Sequence, residues 1–94
     1  KMKITDVRVK LVSSESRLRG VATITFDESF VVHDIRIIEG ENGIFVAMPS
    51  KKTPNGTFRD IAHPIHGEMR KVIEDAIVVA YNEALANPSS EHEE

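Results

Sequence analysis

The chain has 94 residues, no cysteine, no tryptophan and a formal net charge of −3. That length supports one small domain, which buries only about 60 to 65% of its unfolded surface, and the missing thiols exclude disulfides, thiol catalysis and thiolate metal sites. No apolar run reaches the roughly 18 to 20 residues of a membrane span, and KMKITDVRVK lacks the apolar centre of a signal peptide, so the expectation is a soluble, cytoplasmic protein with no membrane partner.

Met2 to Val12 places Val7, Val9 and Leu11 at a spacing of two with Arg8 and Lys10 between them, which is the pattern of a half-buried strand. Ser13 to Ser16 supplies a polar turn. Arg17 to Phe26 repeats the alternation, with Leu18, Ala22, Ile24 and Phe26 on one face and Arg17, Arg19, Thr23 and Thr25 on the other. A hairpin of these two strands puts Arg8, Lys10, Arg17 and Arg19 on the solvent face. After an Asp27-Glu28-Ser29 turn, Phe30 to Glu39 is rich in β-branched residues and closes at Gly40-Glu41-Asn42-Gly43.

Ile44 to Met48 is continuously apolar and reads as a strand covered on both sides. Pro49 ends it, and Thr57 to His63 is its expected partner, reached through a long loop with Pro54-Asn55-Gly56 at the tip. From Ile65 the period changes to three and four, through Met69, Val72, Ile73, Ala76, Ile77, Ala80, Tyr81, Ala84 and Leu85. This predicts a helix that opens after Pro64, carries Glu68 in its first turn and ends at Asn87-Pro88. The expected class is α+β: an antiparallel β-sheet of about five strands followed by one long C-terminal helix. The domain spans residues 2–87, and residues 88–94 read as a disordered acidic tail.

Ile77, Val78, Val79 and Ala80 are consecutive, so apolar side chains point all round one turn of this helix, whereas a sheet covers only one stripe. Two readings stay open: an ordinary exposed apolar residue, or a homodimer interface at Val78 and Val79, which would also enlarge the small core.

Candidate chemistry is sparse. His63 and His66 flank the helix-breaking Pro64 and have no third ligand at a matching spacing, so no metal is expected. His33 reads as a partly buried histidine hydrogen-bonded to its surroundings. There is no Gly-x-Ser-x-Gly elbow, no phosphate-cradling glycine loop and no cofactor signature, so neither an enzyme nor a small-molecule substrate is expected. The cations remain. Residues 1–62 carry ten Lys or Arg against eight Asp or Glu, and residues 63–94 carry two against seven, so the acidity is C-terminal. Lys51 and Lys52 on the loop, Arg59 on the strand leaving it, and Arg70 with Lys71 at the helix start form a candidate phosphate-contacting stripe. With few aromatic residues, base stacking has little to work with beyond Phe58 or Tyr81.

MKITDVRV, SFVVHDIRIIEG and NGIFVAMPSKKTPNGTFRDIAHPI, with the helix that follows, strongly resemble the stage V sporulation protein G family of small bacterial septation regulators. The resemblance runs from about Met2 to Ala86 and suggests a staphylococcal or related Gram-positive member. It implies a cytoplasmic, homodimeric protein that binds DNA and RNA and influences septation, sporulation, or capsule and virulence gene expression. It also implies nucleic-acid contacts at Lys51, Lys52, Arg59, His66, Arg70 and Lys71. Here His66-Gly67 stands where relatives often carry a polar Asn or Ser-type helix start, and Gly67, as the cap, would lack a side-chain acceptor. The rival reading is a protein–protein adaptor in cell division without direct nucleic-acid specificity.

Overall fold

A computed structural model of the protein describes residues 2–87. The acidic tail expected at 88–94 lies outside the described residues. Six strands and one helix follow in order: β1 (Ile4–Leu11), β2 (Leu18–Phe26), β3 (Phe30–Gly40), β4 (Gly43–Ala47), β5 (Ser50–Lys52), β6 (Phe58–Asp60) and α1 (Gly67–Ala86). β1 to β4 form one antiparallel meander in chain order, and β5 pairs with β6 as a separate two-stranded ribbon.

Alternation fixes which face of the meander is buried. Val9 lies opposite Ala22 and Ala22 opposite Ile35, while Ile37 lies opposite Val46, so these side chains line up across the strands on one face. α1 covers that face with Ile73, Ile77, Tyr81 and Ala84, packing mainly on β1 and to a smaller extent on β4. Phe26 and Met48 complete a core that contains no buried polar or charged side chain among the described residues. The other face of the meander is left open.

The expected single sheet of about five strands is corrected to four strands plus the ribbon. Ile44 to Met48 pairs with β3 and not with Thr57 to His63. Pro49 supplies no backbone donor, which interrupts the ladder after β4, and the chain resumes pairing only at Ser50. β4 is also not covered on both sides: Val46 and Met48 are buried, but Phe45, just before them, is 51% exposed on the open face.

Two further departures sit on β3. Ile24 lies opposite Val32 and Ala22 opposite Ile35, so His33 and Asp34 together face Thr23 in a β-bulge, with Asp34 at φ +64°. His33 is exposed rather than partly buried, and its Nδ1 lies 3.4 Å from Thr23 Oγ1. Burial of Ile35 and Ile37 sets the phase of the strand, and the bulge leaves His33 on the open side.

Candidate nucleic-acid interface

The ribbon is short, exposed at all six strand residues, and cationic. Its turn is set by local chemistry: Gly56 N–H donates to Thr53 O at 2.9 Å, with Pro54 and Asn55 at the two central positions and Gly56 at φ +92°. Pro54 has the fixed φ that the first central position wants. Asn55 Oδ1 accepts from the Thr53 hydroxyl and, at 3.0 Å, from the Thr57 hydroxyl, and Thr53 N–H closes on Thr57 O at 2.7 Å. At the base, Ile61 N–H donates to Pro49 O at 2.8 Å. A ribbon of six strand residues therefore holds its register through its two ends.

That register sorts the side chains. Ser50 lies opposite Asp60, Lys51 opposite Arg59 and Lys52 opposite Phe58. Lys51 and Arg59 thus share one face as a directly opposed like-charge pair, and Lys52 shares the other face with Phe58, its Nζ 6.0 Å from the ring centroid. Like charges directly opposite one another cost up to about 1 kcal/mol in a sheet, and neither Lys51 nor Arg59 has an ion-pair partner among the described residues. An anion placed between them relieves that repulsion. A shallow open hollow lined by Thr53, Pro54, Asn55, Thr57 and Arg59 continues from this face to the turn.

The helix start is built differently. His66 is the N-cap, with extended backbone (φ −144°, ψ 160°) and Nδ1 accepting from Met69 N–H at 3.3 Å. The expectation that Gly67 caps without an acceptor is therefore corrected: the cap lies one residue earlier and its imidazole supplies the acceptor. Arg70 and Lys71 lie in the first turns, but each meets a carboxylate one turn on. Arg70 Nη1 is 3.7 Å from Glu74 Oε2, and Lys71 Nζ is 3.2 Å from Asp75 Oδ2. Part of their charge is spent within the helix, and Glu68 adds a negative charge to the first turn. No more than about 25 Å separates Asp60 from Gly67, the reach of the connecting segment. Among the described residues the ribbon cations, unlike those of the helix, have no carboxylate partner.

His63 is exposed, its Nδ1 3.0 Å from Pro64 O. Among the described residues no group of three or more His, Cys, Asp or Glu side chains is placed to hold a metal ion, and no helix is long and apolar enough to cross a membrane. Of the two proposed interface valines, Val79 is exposed and Val78 half-buried. Sequence reasoning missed the open-face Phe45 because it lies inside a continuous apolar run, and missed the His66 cap because histidine is outside the usual capping set.

Fold and site together define a small α+β protein in which a one-helix sandwich carries a projecting cationic β-ribbon. The SpoVG family model matches residues 2–83. A relative from Acholeplasma laidlawii, named "Putative septation protein SpoVG", is 76% identical over 84 residues, 89% of each chain. Proteins with the same name from Clostridioides difficile and Staphylococcus saprophyticus are 61% and 58% identical, covering 89% and 87% of this chain and 91% and 81% of their own. The chain belongs to the SpoVG family.

Proposed function

We propose that this protein is a cytoplasmic, non-enzymatic nucleic-acid-binding regulator that acts in septation and sporulation, or in capsule and virulence gene expression where cells do not sporulate. The septation role follows the names of its relatives. The nucleic-acid role rests on one observation: Lys51 and Arg59 are opposed on one face of an exposed ribbon with no carboxylate among the described residues to pair them. Phosphates of DNA or RNA are the anions that fit, with Lys52 reaching from the ribbon's other face and His66, Arg70 and Lys71 contributing from the helix start. Arg70 and Lys71 bind less tightly than their charge suggests, because Glu74 and Asp75 compete for them.

Binding of this kind releases counterions and weakens steeply with salt. Replacing Lys51 and Arg59 by Glu is expected to lower affinity for duplex DNA at least tenfold in a gel-shift titration at low salt, and to flatten the salt dependence by about two phosphate contacts. The circular dichroism spectrum is expected to stay unchanged, since both side chains are exposed. Unaltered affinity in that variant would remove the ribbon from the interface and favour the adaptor reading, to which the exposed Phe58, Ile61 and Ile65 lend themselves.

A further inference from the structure

The open face of the four-stranded meander carries cations and an aromatic ring in an arrangement unrelated to the ribbon. Lys10 lies opposite Val21, Val21 opposite Arg36, and Arg36 opposite Ala47, so one row across four strands holds two cationic residues whose backbones are two strand spacings, about 9.5 Å, apart. Both are exposed and neither has an ion-pair partner among the described residues. Asp6, on the same face, is engaged by Arg8 at 3.0 Å. Thr23 and Thr25 add hydroxyls between the rows.

Phe45 lies opposite Ile38, in the row next to Arg36, which places it on the diagonal from Arg36 at about 7 to 8 Å. Its ring packs against the backbone of Gly40: a Cβ at that glycine would stand 3.1 Å from Phe45 Cε1. Gly40 therefore lets the ring lie close to the sheet surface while half of it stays in solvent. A half-exposed aromatic seated in this way, diagonal to Arg36 and on the same face as Lys10, offers a stacking surface with phosphate contacts next to it.

We propose that the open sheet face is a second nucleic-acid site, specific for single strands, in which a base stacks on Phe45 while Arg36 and Lys10 hold phosphates of the same strand. The requirement for a single strand follows from geometry, because a base inside a duplex is already stacked on both sides and cannot reach a ring lying near the sheet. Charge complementarity favours a polyanion over an apolar protein partner: among the described residues Lys10 and Arg36 have no ion-pair partner and Asp6 is engaged by Arg8, which leaves the exposed Asp34 in the bulge as the opposing charge. This site is independent of the ribbon and does not need the ribbon reading to hold.

The chain contains no tryptophan, so Phe45→Trp introduces a single reporter at the stacking position. Titrating that variant with oligouridine and with oligothymidine is expected to quench its fluorescence through base stacking, whereas a blunt duplex of equal length leaves the signal unchanged. The tighter of the two oligomers identifies RNA or DNA as the preferred strand. Phe45→Ala is expected to weaken single-strand binding roughly tenfold, measured by anisotropy, with duplex binding intact. Combining Lys10→Glu with Arg36→Glu is expected to abolish the quenching in the Phe45→Trp background. Lys51→Glu with Arg59→Glu, which disables the ribbon, is expected to leave it in place. Quenching equal for duplex and single strand, or quenching lost with the ribbon cations, would overturn the proposal, whatever the ribbon variant does to duplex binding.

Discussion

An imidazole accepts a hydrogen bond at a helix N-cap only through an unprotonated nitrogen, and at His66 that nitrogen is Nδ1, bonded to Met69 N–H. While Nδ1 caps, only the other ring nitrogen is left to meet a nucleic acid, as a hydrogen-bond donor. This separates it from Lys51 and Arg59, whose contribution is charge. His66→Ala removes the cap and is expected to lower stability by about 1 kcal/mol in urea unfolding, whereas His66→Asn, which keeps a side-chain acceptor, is expected to lose at most a few tenths. Equal losses in the two variants would show that the Met69 contact contributes nothing. At this scale the charged residues could be read from the sequence, but the cap could not, because its identity depends on backbone geometry at a residue type seldom used there.

At the scale of elements, the turn between β2 and β3 carries strain that its sequence conceals. Asp27 and Glu28 both have positive φ, 54° and 52°, and Ser29 N–H closes the turn on Phe26 O at 2.9 Å. Two left-handed residues make the hairpin turn whose twist suits the flanking strands, and the second position favours glycine. Asp27 is anchored, since its Oδ1 accepts from Lys3 N–H at 3.1 Å, whereas the Glu28 side chain has no comparable partner among the described residues; its backbone N–H donates to Thr5 Oγ1. Glu28→Gly is therefore expected to raise stability by about 0.5 to 1 kcal/mol in urea unfolding, and a destabilised variant would mean that the side chain matters more than the backbone. The turn itself was legible as Asp-Glu-Ser. So were β1 to β3 and the helix, because Val7, Val9 and Leu11, or Ile73, Ile77, Tyr81 and Ala84, repeat with the period of the element that buries them. The ribbon was not. Ser50 to Lys52 and Phe58 to Asp60 bury nothing, so no apolar period marks them, and their pairing comes from turn chemistry and from the break at Pro49. The site cations were thus legible as residues, while the opposition of Lys51 and Arg59 required the register.

For the whole molecule, the unresolved balance is between a core of twelve buried apolar residues and several large apolar side chains that remain in solvent. Val72 and Val79 are seven residues apart on α1 and share one side of it, Ala76 lies between them, and Ile65, outside the helix and just before its N-cap, is 87% exposed. This stripe borders the face that packs on the sheet and is not covered by it. Val79 belongs to the stripe, whereas Val78, half-buried, points away from it, so of the two valines proposed for a dimer interface Val79 carries the argument. A second copy docked along Ile65, Val72 and Val79 would remove that surface from water at about 25 cal/mol per Å² and would double the number of cationic ribbons presented to a polyanion. Sedimentation equilibrium is expected to give about twice the 10.5 kDa chain mass for the wild type. Val72→Asp with Val79→Asp is expected to give the single-chain mass with the helical circular dichroism retained, because both positions are exposed in the isolated fold. The same variant is expected to bind duplex DNA more weakly than the wild type although no cation has been changed, since each particle then presents one ribbon instead of two. A wild-type chain that sediments at 10.5 kDa at micromolar concentration, or a double variant that still pairs, would exclude this stripe as the contact between copies.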